Sequence, residues 1–200
     1  MSWVVFQRLT LVAATSIELE DASDAEVNEE TRRKSSSFAE CGYRKLAVYR
    51  GRFHETAFSI VVMSGPDGTS WAEVTDQVWE TASAFGPRLV RTATNSMMPP
   101  GSTPVQCVPS GSPETIVAEH RRLLASLERR GLQPDRLDVD EILRRFEFET
   151  RATQAMLRQS MWRTATDLAW RRPLRLHHGR PVLGEDPRAG ARIDAWLAVR

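Results

Sequence analysis

Four histidines, two cysteines and an arginine-tryptophan run are the residues whose types could do chemistry in this chain. Histidine is the first candidate, because its pKa allows proton transfer near neutrality. His120 shares a predicted helix with Glu114 and Glu119. Glu119 is adjacent to it in sequence and points elsewhere, and the spacing from Glu114 is not that of an HExxH metal motif. His120 therefore reads as a histidine at the edge of the core or on the surface. His54 lies in a polar turn beside Glu55, and His177 and His178 lie at a predicted hairpin tip. Neither group has carboxylates at zinc-ligand spacing, so no metal site and no cofactor is expected. Ser64-Gly65 follows a strand pattern but is not embedded in GxSxG, which leaves a small hydrolase as the third reading of function. Cys41 and Cys107 lack CxxC spacing and read as two buried thiols. Neither glycine-rich phosphate-loop pattern occurs.

The segment 158–180 carries the densest signal. It places Arg163, Arg171, Arg172 and Arg175, with Arg158 and Arg180, among Trp162, Trp170, His177 and His178, and Asp167 is its only acid. Guanidinium groups beside aromatic rings suit phosphate contact and base stacking, which makes this a candidate nucleic-acid-binding segment. The plainer account is that the tryptophans pack a terminal hairpin and the arginines cover its outer face.

These residues must be positioned by a chain of 200 residues with 41% hydrophobic and 26% charged content and a formal net charge of +1. That is enough apolar material for one core, and it excludes both a disordered chain and a globally polyanion-seeking one. The apolar stretch from Trp3 to Ala14 is interrupted by Gln7 and Arg8 and is too short to span a bilayer, so a cytoplasmic location is expected.

Residues 3–19 show partial alternation and predict a first strand. Asn28, followed by Glu29 and Glu30, predicts a helix that runs to Cys41 and closes at Gly42, with so few apolar residues that it should lie at the surface. From Tyr43 to Val108 the period becomes two. Phe58, Ile60 and Val62 fall on one face, the run from Ser64 to Gly68 supplies a reversal, and Trp71 to Asp76, Trp79 to Phe85 and Leu89 to Thr94 read as further strands of an antiparallel meander. Val105 to Val108 reads as a last short strand. Ser112-Pro113-Glu114 starts a helix with Ile116, Val117, His120, Leu123, Leu124 and Leu127 on one face, ending at Gly131. Asp138 caps a second long helix with Val139, Ile142, Leu143, Phe146, Thr153 and Leu157 on its buried face, which could extend to Trp170. Pro173 breaks it. A hairpin from Leu174 to Leu183 and a short helix from Ala189 to Val199 complete the pattern.

The order of Gly42-Tyr43-Arg44-Lys45-Leu46, the Trp79 strand, the threonine-containing strand Leu89 to Thr94, the proline-rich loop and the helix from Ser112 to Gly131 resembles a loose group of uncharacterised bacterial α+β proteins. The resemblance covers residues 42–132, and it implies a fold without implying an activity.

The sequence thus predicts one α+β domain, an antiparallel meander sheet packed on one side by two longer helices, with a C-terminal hairpin and short helix. Its parts would be an N-terminal strand and helix (1–42), the sheet (43–108), the helices (112–170) and the C-terminal hairpin and helix (171–200). For function it predicts a non-enzymatic binding or regulatory protein acting through a protein partner, of an accessory or immunity-like kind. Nucleic-acid binding through residues 158–180 is the alternative. If that alternative holds, replacing Arg171 and Arg172 together should weaken binding to every sequence and reduce the salt slope by about one to two units, as read by oligonucleotide titration at several salt concentrations.

Overall fold

The computed structural model describes residues 20–53, 56–76, 78–94, 105–108 and 111–159. The predicted first strand, the proline-rich loop, the C-terminal hairpin and the terminal helix lie outside the described residues.

Among the described residues, seven strands form one sheet in sequence order: β1 (Glu20–Asp21), β2 (Arg44–Phe53), β3 (Thr56–Ser64), β4 (Trp71–Val74), β5 (Trp79–Phe85), β6 (Arg88–Ala93) and β7 (Val105–Cys107). The first six are an antiparallel meander, as the alternating pattern predicts. The last lies beside β6 but parallel to it. Short reversals built on Gly68 and Gly86, both at positive φ, connect β3 to β4 and β5 to β6. Gly51 makes room for its neighbour: the Phe58 ring lies across it from the opposite strand, and a Cβ there would come within 2.3 Å of that ring and force it to shift.

Three α-helices among the described residues cover the sheet: α1 (Glu29–Glu40), α2 (Pro113–Glu128) and α3 (Val139–Gln159). Each begins where the sequence places a cap. The side chains of Asn28, Ser112 and Asp138 accept hydrogen bonds from the backbone N–H groups of Thr31, Thr115 and Glu141. Gly42 follows α1 with φ 91°, a conformation that side-chain-bearing residues avoid.

The helices divide between the two faces. α1 and α2 pack Phe38, Ile116 and Val117 against Val48, Val61, Met63, Ala72 and Val74. Farther along that face, Leu123, Leu124 and Leu127 pack on Phe85 and Val90. α3 and the segment before it pack Leu137, Ile142 and Phe146 on the opposite face, against Tyr49, Ile60, Val62 and Trp71. The Tyr49 and Phe146 ring centroids are 5.1 Å apart.

This corrects two expectations. The two longer helices do not share one side, because β3 is apolar at consecutive positions and Ile60, Val61, Val62 and Met63 are all buried. The first helix is not peripheral either. Phe38, Thr31 and Lys34 are buried, and the Lys34 Nζ lies 3.8 Å above the Trp79 ring while donating to the Asp76 carbonyl. Ile60 and Val62 lie under α3, with Phe58 half-buried beside them, as their alternation predicts.

Leu123, Leu127, Ile142 and Phe146 are all core residues, as the helical periodicity predicts. Val139, placed on the same buried face, is instead 45% exposed because it lies in the first turn of α3, before the helix meets the sheet, and the side chains of Thr153 and Leu157 lie outside the description. Leu127→Ala and Phe146→Ala are each expected to lower stability by about 2 to 5 kcal/mol through lost transfer energy and cavity formation, measured by urea unfolding. A loss below about 0.5 kcal/mol for both would contradict this packing.

Candidate functional site

Burying both faces of the sheet leaves the polar side chains of its strands away from water, where each needs a partner. Two polar clusters result, one on each face of β5 and β6. The hairpin register assigns them: Thr81 opposes Thr92 and Ser83 opposes Val90 on the α2 face, whereas Ala82 opposes Arg91 on the α3 face.

On the α2 face, His120 is buried between two hydroxyl groups. Its Nε2 is 2.9 Å from the Ser83 Oγ and its Nδ1 is 3.0 Å from the Thr92 Oγ1. A neutral imidazole has one donor and one acceptor nitrogen, and a hydroxyl serves either. Burial pushes the imidazole pKa down to about 3, with Asp67 opposing weakly. His120 is therefore neutral and enclosed. It is a core histidine, deeper than the edge or surface position that the sequence suggests.

On the α3 face, Arg91 is buried and faces three carboxylates from three elements. Its Nη1 is 3.5 Å from Glu73 Oε1 of β4 and is paired with Glu80 of β5, and its Nη2 donates to Glu149 Oε2 of α3 at 3.1 Å. Glu73 and Glu80 are direct cross-strand partners. Trp71 Nε1 donates to Glu73 at 2.9 Å. Burial pushes the Glu73 carboxyl up to about 7. Arg91 pulls the other way, Glu80 and Glu149 add to the rise, and the bond from Trp71 opposes it. For Arg91, burial works against the charge, but the three carboxylates outweigh it and raise its pKa.

A groove of about 430 Å³ opens at the edge of that face, between α3 and the β5–β6 turn. Its walls are Pro87, Leu89 and Phe148 with Glu141, Arg144, Arg145 and Glu149. Phe148 is 69% exposed. Arg145 donates to the Gly86 carbonyl and lies near Asp135 and Glu141, and Glu149 is held by Arg91. Arg144 Nε donates to the Asp140 carbonyl, but its guanidinium has no carboxylate partner among the described residues.

The other sequence candidates fall as follows. Ser64 is buried, with its Oγ bonded to the Gly65 carbonyl, and no base stands beside it among the described residues. Cys41 is half-buried, and burial raises its thiol pKa, which argues against a reactive thiolate. Cys107 belongs to β7, and its side chain is outside the description. Arg163, Arg171, Arg172, Arg175, Trp162 and Trp170 lie outside the described residues, as do His54, His177 and His178. No group of three or more histidine, cysteine or acidic side chains among the described residues is arranged to hold a metal, and none of the described helices is long and apolar enough to cross a membrane.

Sequence reasoning missed the Arg91 cluster. The signal was available: Glu73, Glu80 and Arg91 interrupt otherwise apolar or small strand sequences, and antiparallel pairing of β4, β5 and β6 brings them to adjacent positions. Comparison with protein-family models, with curated proteins and with solved structures gives no match, so the resemblance drawn from residues 42–132 gains no support and function rests on geometry.

The His120 cluster has a defined pH signature. Its folded pKa lies below the ordinary value of 6.5, so its contribution to stability is present above that value and is lost as pH falls toward about 3. His120→Gln should cost about 1 to 3 kcal/mol at neutral pH through imperfect bonding to Ser83 and Thr92. The variant should also lose less stability than the unmodified protein between about pH 6.5 and pH 4, measured by urea unfolding across that range. Equal acid sensitivity of the two proteins would contradict the assignment.

Proposed function

We propose that this chain is a non-enzymatic binding protein that acts through a protein partner in the cytoplasm, in an accessory or immunity-like role. The supporting observation is the groove beside α3, where an exposed Phe148 stands next to Arg144, whose guanidinium has no carboxylate partner among the described residues, with Pro87 and Leu89 in the same lining. An exposed aromatic ring beside an arginine is a common anchor pair in protein interfaces. Charge selects the occupant. Arg145 and Glu149 are already engaged, which leaves Arg144 as the charge to be met, so the fitting partner is a segment with a carboxylate close to an apolar side chain.

The enclosed state of the other reactive groups supports the non-enzymatic half of this reading. His120 is sealed between two hydroxyls, and Arg91 is occupied by three carboxylates, so neither is available to a substrate. The nucleic-acid reading rests on residues 158–180 and gains nothing from the groove, whose charges are mixed in sign.

Selection of a random decapeptide phage library on the immobilised full chain tests the proposal. Enriched peptides are expected to place an acidic residue near an aromatic or branched aliphatic one. Arg144→Glu and Phe148→Ala should each weaken such peptides by about tenfold or more. Enriched peptides indifferent to both substitutions would move the interface elsewhere. Salt-sensitive oligonucleotide binding without peptide enrichment would favour the nucleic-acid alternative.

A further inference from the structure

We infer that the Arg91 cluster is a proton-controlled latch, in which protonated Glu73 lets Arg91 hold Glu149 and with it the C-terminal half of α3, and loss of that proton releases Glu149. The geometry supplies both halves of the device. One guanidinium is shared by three carboxylates, and two of these, Glu73 and Glu80, are fixed opposite each other on adjacent strands. Three ionised carboxylates around one cation leave an excess of negative charge in a site mostly removed from water, and one bound proton relieves it. Every charged group facing Glu73 among the described residues belongs to the cluster: Glu80 from β5, Arg91 from β6 and Glu149 from α3. Its own strand presents Trp71, and β3 presents Val62 opposite it.

Exposure decides which carboxylate leaves. Glu80 and Glu73 are 13% and 18% exposed and are anchored on strands bonded on both sides, whereas Glu149 is 27% exposed and rides on a helix. Ionised Glu73 competes for the Nη1 side of Arg91 and repels Glu149, which reaches water with the least backbone movement. The rest of α3 is secured independently. Ile142 and Phe146 are in the core, and Arg145 bonds to the Gly86 carbonyl. Beyond Phe146 the described side chains reach the sheet through Glu147, which accepts from the Tyr49 hydroxyl, and then through Glu149, which is the last of them and is held by Arg91. Release therefore loosens the end of the helix and leaves the fold in place.

The sign follows from linkage. The folded-state pKa of Glu73 lies above its ordinary 4.5, so the protonated form is favoured by folding, and the stability it contributes is lost as pH rises through about 7. The α3 end should accordingly be closed in mild acid and open in mild base, opposite in direction to the acid sensitivity expected from His120.

Hydrogen exchange of the full chain, read by mass spectrometry over residues 146–159 and corrected for intrinsic exchange, tests the latch. Protection there should fall at least about threefold between about pH 5.5 and pH 8.5, while the amides of β5 stay protected. Glu73→Gln, which resembles the protonated acid, should keep the helix end protected at both values. Glu149→Gln should leave it weakly protected at both, with no transition. Protection independent of pH in the unmodified protein, or an unchanged transition in Glu73→Gln, would overturn the inference. Should Glu73→Gln fail to fold, carbon NMR of the Glu73 carboxyl in the unmodified chain decides the matter: a midpoint above about pH 6 supports the latch, and one below it ends it.

Discussion

The sheet is covered on both faces, and the other features of the structure follow from that constraint. A meander with one wet face could send its serine, threonine, glutamate and arginine side chains outward. Here α1 and α2 occupy one face and α3 the other, so Ser83, Thr92, Glu73, Glu80 and Arg91 must be satisfied inside. Burial without partners would cost each of them several times the net value of an ordinary hydrogen bond. The two clusters are the response, and they are of different kinds.

The α2-face cluster is neutral. A histidine between two hydroxyls can assign its tautomer to suit both, so burial is tolerated with no charge present. The α3-face cluster is charged and unbalanced, with one arginine for three acids. Such a cluster adds little net stability compared with a well-packed apolar replacement, but it restricts which strands and which helix can come together, since leaving any member unpaired is expensive. It also makes one edge of the fold respond to protons. Because Phe148 and Arg144 stand on the same helix as Glu149, a change in how α3 sits on the sheet would also alter the wall of the groove proposed for partner binding.

Much of the fold was legible in the residues. The caps at Asn28, Ser112 and Asp138, the left-handed closure at Gly42, the reversals at Gly68 and Gly86, and the alternation of Phe58, Ile60 and Val62 are local signals that depend only on near neighbours in the chain. The buried stripe of α2 was legible for the same reason, since a period of 3.6 places Ile116, Leu123 and Leu127 together regardless of what they pack against.

Placement across the sheet was decided only by tertiary structure. Periodicity says that a helix or strand has an apolar face, but not which partner receives it, so the segregation of α2 and α3 to opposite faces and the burial of Phe38 were not predicted. The parallel docking of β7 on β6 is likewise a choice among sheet edges that no short stretch encodes. The Arg91 cluster lies between these cases. Its charges are visible in three strands, yet their convergence depends on the register of two hairpins and on a glutamate from a helix 58 positions away from Arg91. Local sequence thus determined where elements start, stop and turn. The fold alone decided which buried charges meet, because that depends on contacts between residues far apart in the chain.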